Sequence, residues 1–371
     1  TGDTWHRYTE AADLLRQKIG GCDVQVNKAI RLGKRARWIA TKKDAEGVGW
    51  LADGKSARNE QSLIESIRVL MSASSSWPAI KSALSEHQTE QVKLATSGAV
   101  GILSGTPGTG KTYSSAGIIK AVIQGHHGKG GISVLAPTGK AAVRATESLS
   151  KLGIEGLTAT TIHRALGPDR NGHGTGDWGF RRNKSNPIES DFVIVDETSM
   201  VDTDLMAALV NALKPGTNLL LIGDPYQLPP VGHGAPFRDL IACGIPHGHL
   251  TEIQRNSGLI VRGCAAIREG RRVDTCDRFD NDGNNLRVIS SSSPTKTMEV
   301  IRNVFEAVVA KGERDPIEHI QVLVPMNEAG VLGRKKLNTI LQGILNANGY
   351  TVKDNPFRVG DKVICTSNGW Y

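Results

Sequence analysis

Lys111 and Thr112 stand at the end of the string Gly105-Thr106-Pro107-Gly108-Thr109-Gly110, with Tyr113 next. Glycines at both ends of such a loop let backbone N–H groups turn inward on a polyphosphate, and a following helix adds its positive dipole end. Lys111 would then reach the β- and γ-phosphates, and the Thr112 hydroxyl would hold Mg2+. Asp196 and Glu197 close the apolar run Phe192–Val195. Adjacent acids at the end of a buried strand are costly unless they bind something. Asp196 suits Mg2+ held through water, and Glu197 suits polarisation of an attacking water. Gln227 follows a second apolar run, Leu219–Ile222, in GDPYQLPPV. A neutral amide there can register the γ-phosphate. Arg255, in LTEIQR, is a candidate for neutralising charge in a transition state. Gln88 precedes Lys111 by 23 residues, and its amide can pair with an adenine edge. The set predicts ATP and Mg2+ as cofactors.

These groups need strands that end together. Ala99–Leu103 reads as a buried strand before the glycine loop, and Tyr113–Ile123 as the helix after it. Ser85 is a candidate N-cap for a short helix carrying Gln88. Ile132–Leu135 reads as a strand leading into Ala136-Pro137-Thr138-Gly139-Lys140. Thr160-Thr161-Ile162-His163-Arg164 is a second polar cluster. His163 has no partner at metal-ligand spacing, so it is not read as a ligand. Strands alternating with helices predict a doubly wound parallel α/β sheet, with ligands at the strands' carboxyl ends.

Residues 167–186 are rich in Gly, Arg, Lys and Asn around Trp178 and Phe180. They read either as a surface loop or as a β-hairpin insert with an aromatic tip between basic flanks. Residues 1–82 differ in character from the nucleotide-binding segment. Arg7–Lys43 holds ten Lys or Arg, which is either a solvated helical face or a phosphate-contacting surface. Ser62–Met71 places Leu63, Ile64, Ile67, Leu70 and Met71 on one helical face, which should pack on a core. A boundary is expected near SASSSWP, residues 72–78. From residue 257 a second unit is expected, with strands at 286–289 and 320–324 and helices at 295–311 and 331–345.

A chain of 371 residues with 22% charged and 39% hydrophobic residues predicts a soluble protein of two or three domains. No apolar run approaches the ~20 residues that span a bilayer, so no membrane partner is expected. The five scattered cysteines contain no CxxC pair, which favours reduced thiols and a cytoplasmic setting over disulfides or zinc. A net charge of +8 suits a polyanionic partner.

With these motifs in order, the sequence resembles superfamily 1B helicases of the RecD-like kind, related more distantly to TraI and Dda helicases. The segments are Gln88, GTPGTGKT, PTGKAA at 137–142, TIHRAL at 161–166, VDETSMVD at 195–202, GDPYQLPPV at 223–231 and LTEIQR at 250–255. VLVPMN at 322–327 and GDKVI at 360–364 resemble the opening of a second motor domain. The resemblance implies a RecA-like parallel-sheet motor domain at 83–256 with a small insert near 167–186. It also implies a partial, second RecA-like domain at 257–371, after a small, mainly helical domain at 1–82.

It further implies ATP-driven 5′ to 3′ movement on single-stranded DNA and unwinding of a DNA fork, in DNA repair, recombination or replication. Gln88 would read adenine, and the loop residues Gly105 to Tyr113 would hold the nucleotide. Thr112 and Asp196 would hold the metal. Lys111, Glu197, Gln227 and Arg255 would serve hydrolysis. Pro137, Thr138, Lys140, Thr161, His163, Trp178 and Asn327 would contact DNA. The family's closing VHKSQG-like and TRA-like segments have no counterpart here, so the chain, which starts at Thr1 rather than Met, reads as a fragment. The alternative is an ATP- and DNA-binding module without productive hydrolysis. A small-molecule kinase fits GDPYQLPP and the basic charge poorly.

Overall fold

The computed structural model describes the chain except for residues 1–2, 21, 75–76, 81–83, 126–130, 170–178, 254–257, 281–282, 313–314, 329, 352–354 and 364–371, and the side chains of 19, 168 and 169. It divides into two compact units, Thr1–Val273 and Asp274–Tyr371.

The first unit opens with β1 (Trp5–Arg7), α1 (Tyr8–Ile19), α2 (Asp23–Arg35), β2 (Ile39–Lys43), β3 (Gly49–Asp53) and α3 (Gly54–Met71). The three strands form an antiparallel sheet in the order β1-β3-β2. The sequence reading did not include this sheet. The strands are short, and IATKK buries no residue fully, so there is little two-residue alternation to read. Val26 and Ile30 of α2 and Ala12 of α1 form a small core with Tyr8, Leu15 and Leu51 beneath the sheet. Asp53 caps α3 by accepting from the Lys55 and Ser56 amides, both at 2.9 Å.

The chain continues through α4 (Glu86–Ala95), β4 (Val100–Gly105), α5 (Lys111–Gly125), β5 (Ile132–Ala136), α6 (Gly139–Lys151), β6 (Thr160–Thr161) and α7 (Ile162–Leu166). Next come β7 (Pro168–Asp169), β8 (Gly179–Phe180), β9 (Phe192–Val195), α8 (Thr203–Asn211), β10 (Asn218–Gly223), α9 (Pro236–Ala242), β11 (His247–Leu250) and α10 (Leu259–Arg268). Six strands form one sheet in the order β11-β4-β10-β9-β5-β6, with every pair parallel. The expected doubly wound α/β sheet is present. Strands β4, β9 and β10 are buried on both faces, which explains their near-continuous apolar runs.

Alternate residues serve different layers. Val193, Val195, Leu219 and Leu221 join one core with Leu63, Ile67 and Leu70 of α3 and Met206 and Leu209 of α8. Phe192, Ile194, Leu220 and Ile222 join the other with Ile118, Ile119 and Val122 of α5 and Leu149 of α6. Helix α3 thus packs on the six-stranded sheet's core as the apolar face predicted, although Ile64 and Met71 remain 38% and 44% exposed.

Two glycines let α4 lie directly on the sheet. A Cβ at Gly101 of β4 would stand 1.7 Å from the Ala95 carbonyl oxygen, and one at Gly248 of β11 would stand 1.9 Å from that of Gln91. Backbone cannot yield as a flexible side chain does, so Gly101→Ala is expected to cost about 3 kcal/mol. Chemical denaturation checks this: a midpoint unchanged from wild type would mean α4 is free to lift.

The second unit contains α11 (Pro294–Lys311), α12 (Pro316–His319) and α13 (Arg334–Leu345). Among its described residues, Met298, Phe305 and Leu337 are the buried apolar ones. Asp361 ties its later part together, accepting from the Arg358 amide and from Asn346 Nδ2, both at 2.7 Å. The strands expected at 286–289 and 320–324 do not form, and both segments are irregular. IQVLV at 320–324 has the composition of a buried parallel strand, but a strand needs ladder partners. Among the described residues of this unit the pairing is limited to one isolated bridge, Thr351 to Arg358.

Candidate active site

The sheet register sets the site. Gly223 pairs with Ser104, Leu221 with Val195, and Val195 with Leu135. The carboxyl ends of β4, β10, β9 and β5 therefore lie in one row, and the loops after them share an edge. Ligands of open parallel sheets gather at this edge.

After β4, the loop is closed by the Thr109 hydroxyl, which donates to the Thr106 carbonyl at 2.8 Å. Gly108 and Gly110 have φ of +84° and +85°, a left-handed conformation that side chains with a Cβ rarely adopt. Gly110 is doubly constrained, because a Cβ there would come within 2.5 Å of Gln88 Nε2. Helix α5 begins at Lys111. The Lys111 ammonium folds over the loop and donates to the carbonyls of Gly105, at 2.7 Å, and Thr106, at 3.1 Å. Thr112 and Tyr113 are exposed on the first turn.

Gln88 sits beside this loop because of its helix cap. Ser85 Oγ accepts from the Gln88 amide, and Gln88 Oε1 accepts from the Ser85 amide, both at 3.2 Å. This reciprocal capping box fixes the side chain, and the glycines under α4 bring it to Gly110. The sequence reading identified the cap and the residue separately; the structure joins them.

Asp196 follows β9. Burial pushes its carboxyl up to about 6, and the neighbouring Glu197 adds to the rise. The Glu197 amide donates to Asp196 Oδ1 at 2.8 Å and, with Lys111, acts in the opposite direction. Glu197 is a non-glycine residue in the left-handed region, at φ +52°. Such a residue stores on the order of 1–3 kcal/mol. The turn separates the two acids, and among the described residues the Glu197 carboxylate has no hydrogen bond. Burial lowers the Lys111 pKa from its usual value, while Asp224, then Glu197 and Asp196, raise it. The ammonium therefore lies in the field of three acids.

Asp224 is a site residue that the sequence reading missed. It is buried, accepts from the Tyr226 amide at 2.9 Å, and is the foremost acid acting on Lys111. Its position one residue past β10, matching Asp196 past β9, was the available signal. Gln227 is exposed, with its Oε1 accepting from Ser199 Oγ at 3.4 Å, which links the loops after β10 and β9. Arg255 lies outside the described residues. The Arg268 guanidinium of α10 lies 5.0 Å from the Tyr226 ring centre, beside the loop after β10.

Thr138 and Thr161 share the same sheet edge, where Ala136 pairs with Thr161. Each hydroxyl caps a helix: Thr138 accepts from the Ala141 amide at 3.2 Å, and Thr161 from the Arg164 amide at 3.1 Å. Pro137 and Lys140 flank the first cap. The His163 ring packs 5.9 Å from Phe180, so α7 holds the stem of the antiparallel pair β7–β8. Trp178, at the expected tip of that insert, lies outside the described residues. Asn327 belongs to the second unit, where its Oδ1 accepts from Arg334 Nε at 2.8 Å.

The residues present fit a triphosphate with a divalent cation. Asp196 is a buried carboxyl whose charged form needs a cation, and the left-handed Gly108 and Gly110 bend the loop so that its backbone amides can face a phosphate. Thr112 and Asp196 would hold Mg2+.

Residues 83–291 match the family model described as AAA domain. The chain is 30% identical to the ATP-dependent RecD2 DNA helicase of Deinococcus radiodurans over 95% of its own length and 47% of that protein's. It is 32% identical to the RecD subunit of the RecBCD enzyme of Mycolicibacterium smegmatis, over 68% of this chain and 44% of that one. The chain thus spans about half the length of these curated relatives. A solved Pif1 helicase from Candida albicans aligns at 21% identity and a TM-score of 0.38, over 63% of this chain and 56% of that one. A likeness at that score adds nothing to the assignment. The chain belongs to the AAA-domain family that this model describes.

Proposed function

We propose that this chain is motor machinery of an ATP-dependent DNA helicase that moves 5′ to 3′ on single-stranded DNA and opens a fork. The observation that supports this reading best is the convergence on one sheet edge. Lys111, Asp196, Glu197 and Asp224 gather at one part of it, and Thr138 and Thr161 occupy the adjoining strand ends. A phosphate-dependent change in the first group thus has a short path to the second. In this reading residues 83–256 are the first motor domain with an insert near 167–186. Residues 257–371 belong to a second motor domain, and 1–82 form an N-terminal domain.

The loop amides and Lys111 bind and orient the phosphates, and Lys111 neutralises charge growing on the γ-phosphate. Glu197 takes up the proton of the attacking water. Gln227, tied to Ser199, registers the γ-phosphate, and Arg255 completes charge neutralisation. Gln88 contacts the adenine. When bound, Mg2+ would supply further neutralisation of phosphate charge. The scattered thiols suit a cytoplasmic setting, and no described helix is long and apolar enough to cross a membrane.

The irregular run of 320–324 favours a second reading, in which this chain binds ATP and DNA without productive turnover. Phosphate release measured with and without oligo-dT, beside unwinding of forks tailed at either end, separates the two. The helicase reading expects at least tenfold stimulation by DNA, on the scale of one strengthened catalytic contact (about 1.4 kcal/mol), and opening of 5′-tailed forks. Binding of both ligands with negligible turnover supports the module. Turnover indifferent to DNA counts against both.

A further inference from the structure

Outside the motor sheet, the N-terminal part of the first unit carries a cleft of about 620 Å³ between α2 and the β2–β3 hairpin. Arg31 and Lys34 on α2 and Lys43 on β2 line it, and no carboxylate does. All three are exposed, and none has an ion pair among the described residues. Lys42, also in the lining, is partly engaged, standing 4.0 Å from Glu60 Oε1 and from the Trp5 ring centre. The apolar wall comes from Tyr8 and Trp50, both half-buried. Their polar ends are anchored. Tyr8 Oη donates to Asn27 Oδ1 at 3.0 Å, and Trp50 Nε1 donates to Asp44 Oδ2 at 2.8 Å. The rings are therefore held in place before any ligand arrives.

The spacing on α2 is what a strand-tracking surface needs. Asn27, Arg31 and Lys34 lie four and three residues apart, on one helical face. Ile30 of the same face is buried beneath them and holds that face against the hairpin. Unpaired cations beside fixed aromatic rings match a chain that alternates anionic phosphates with planar bases. An acidic peptide would use the cations and leave the rings idle.

We infer that this cleft is a second binding site for single-stranded nucleic acid, separate from the strand ends of the motor sheet. Phosphates pair with Arg31, Lys34 and Lys43, and a base lies against Tyr8 or Trp50. The inference deepens the DNA reading above and rests on it for the kind of polymer. The site would hold the strand during the part of the cycle in which the motor releases it.

The test uses the full chain and a fluorescent oligo-dT, with anisotropy read across a salt series. The triple variant Arg31→Gln/Lys34→Gln/Lys43→Gln changes only exposed side chains, so folding should persist, which circular dichroism checks. It is expected to bind at least tenfold more weakly. The slope of log affinity against log salt should fall by about 2, since each phosphate contact contributes ~0.7. ATP turnover without DNA should stay at the wild-type rate. A 5-iodouracil strand irradiated on the wild-type chain should crosslink to Tyr8 or Trp50. Wild-type affinity and slope in the triple variant, crosslinks confined to the motor sheet, or equal binding of inorganic polyphosphate would each overturn the inference. If the motor reading alone fails, ATP turnover is absent in the wild type while the slope change persists.

Discussion

Alanine in place of Lys111 is expected to lower ATP turnover by about 1,000-fold or more while leaving the affinity for oligo-dT nearly unchanged. Three features of the site set this expectation. The ammonium is half-buried and already desolvated, so moving from loop carbonyls to phosphate oxygens costs it little hydration. Its present partners, the Gly105 and Thr106 carbonyls, belong to the loop that would receive the phosphates. Three acids crowd the same space, so its removal leaves Asp196, Glu197 and Asp224 facing an anionic ligand with no fixed cation of this kind among them. In the proposed mechanism, the charge lost is the one that would neutralise the γ-phosphate in the transition state. DNA affinity is expected to survive, because Thr138, Thr161 and the N-terminal cleft do not involve Lys111. Single-turnover hydrolysis and anisotropy on the same preparation check both halves. Normal DNA-stimulated turnover in this variant would contradict the assignment of the loop, whereas loss of DNA binding with loss of turnover would point to misfolding.

The centre of the six-stranded sheet was legible because β4, β9 and β10 are buried on both faces. Four runs of apolar residues, each ending in a polar turn, gave strands, order of elements and active edge together. Residues such as Val193 and Ile194 need no alternation to be recognised, since both faces are covered. The short hairpin strands of residues 39–53 lack that signal; their residues are mixed, and it is the ladder from Ile39–Asp53 to Lys43–Gly49 that makes them strands. The irregular segment 320–324 shows the converse, a strand-like composition without a ladder.

Within the site, motif residues were legible one by one, but what joins them was not. The approach of Gln88 to Gly110 depends on Gly101 of β4 and on Gly248 of β11, the latter far away in the sequence. Asp224 shares its loop with Gln227, and it is burial beside Lys111, invisible in the motif, that marks it as part of the site. The cleft near α2 was visible only as excess positive charge, since the rings that complete it come from other elements.

Glutamine in place of Glu197 separates chemistry from binding and should slow hydrolysis by about 100- to 10,000-fold, the range a positioned general base supplies. The change keeps shape and chain length, so the left-handed turn at φ +52° should survive it. Among the described residues the Glu197 carboxylate makes no hydrogen bond, so its loss breaks no internal contact. The substitution removes one of the acids acting on Lys111, which should leave ATP affinity equal or tighter. It also removes the negative charge that helps raise the Asp196 pKa, so Asp196 should ionise at lower pH and meet Mg2+ more readily. The expected signature is therefore a lowered kcat with unchanged or tighter nucleotide binding, read by single-turnover hydrolysis and by titration with a fluorescent ATP analogue. A comparable fall in affinity would place Glu197 among the groups that hold the nucleotide. Retention of wild-type kcat would move the proton acceptor elsewhere, and Asp224, buried at the neighbouring strand end, would be the next residue to change.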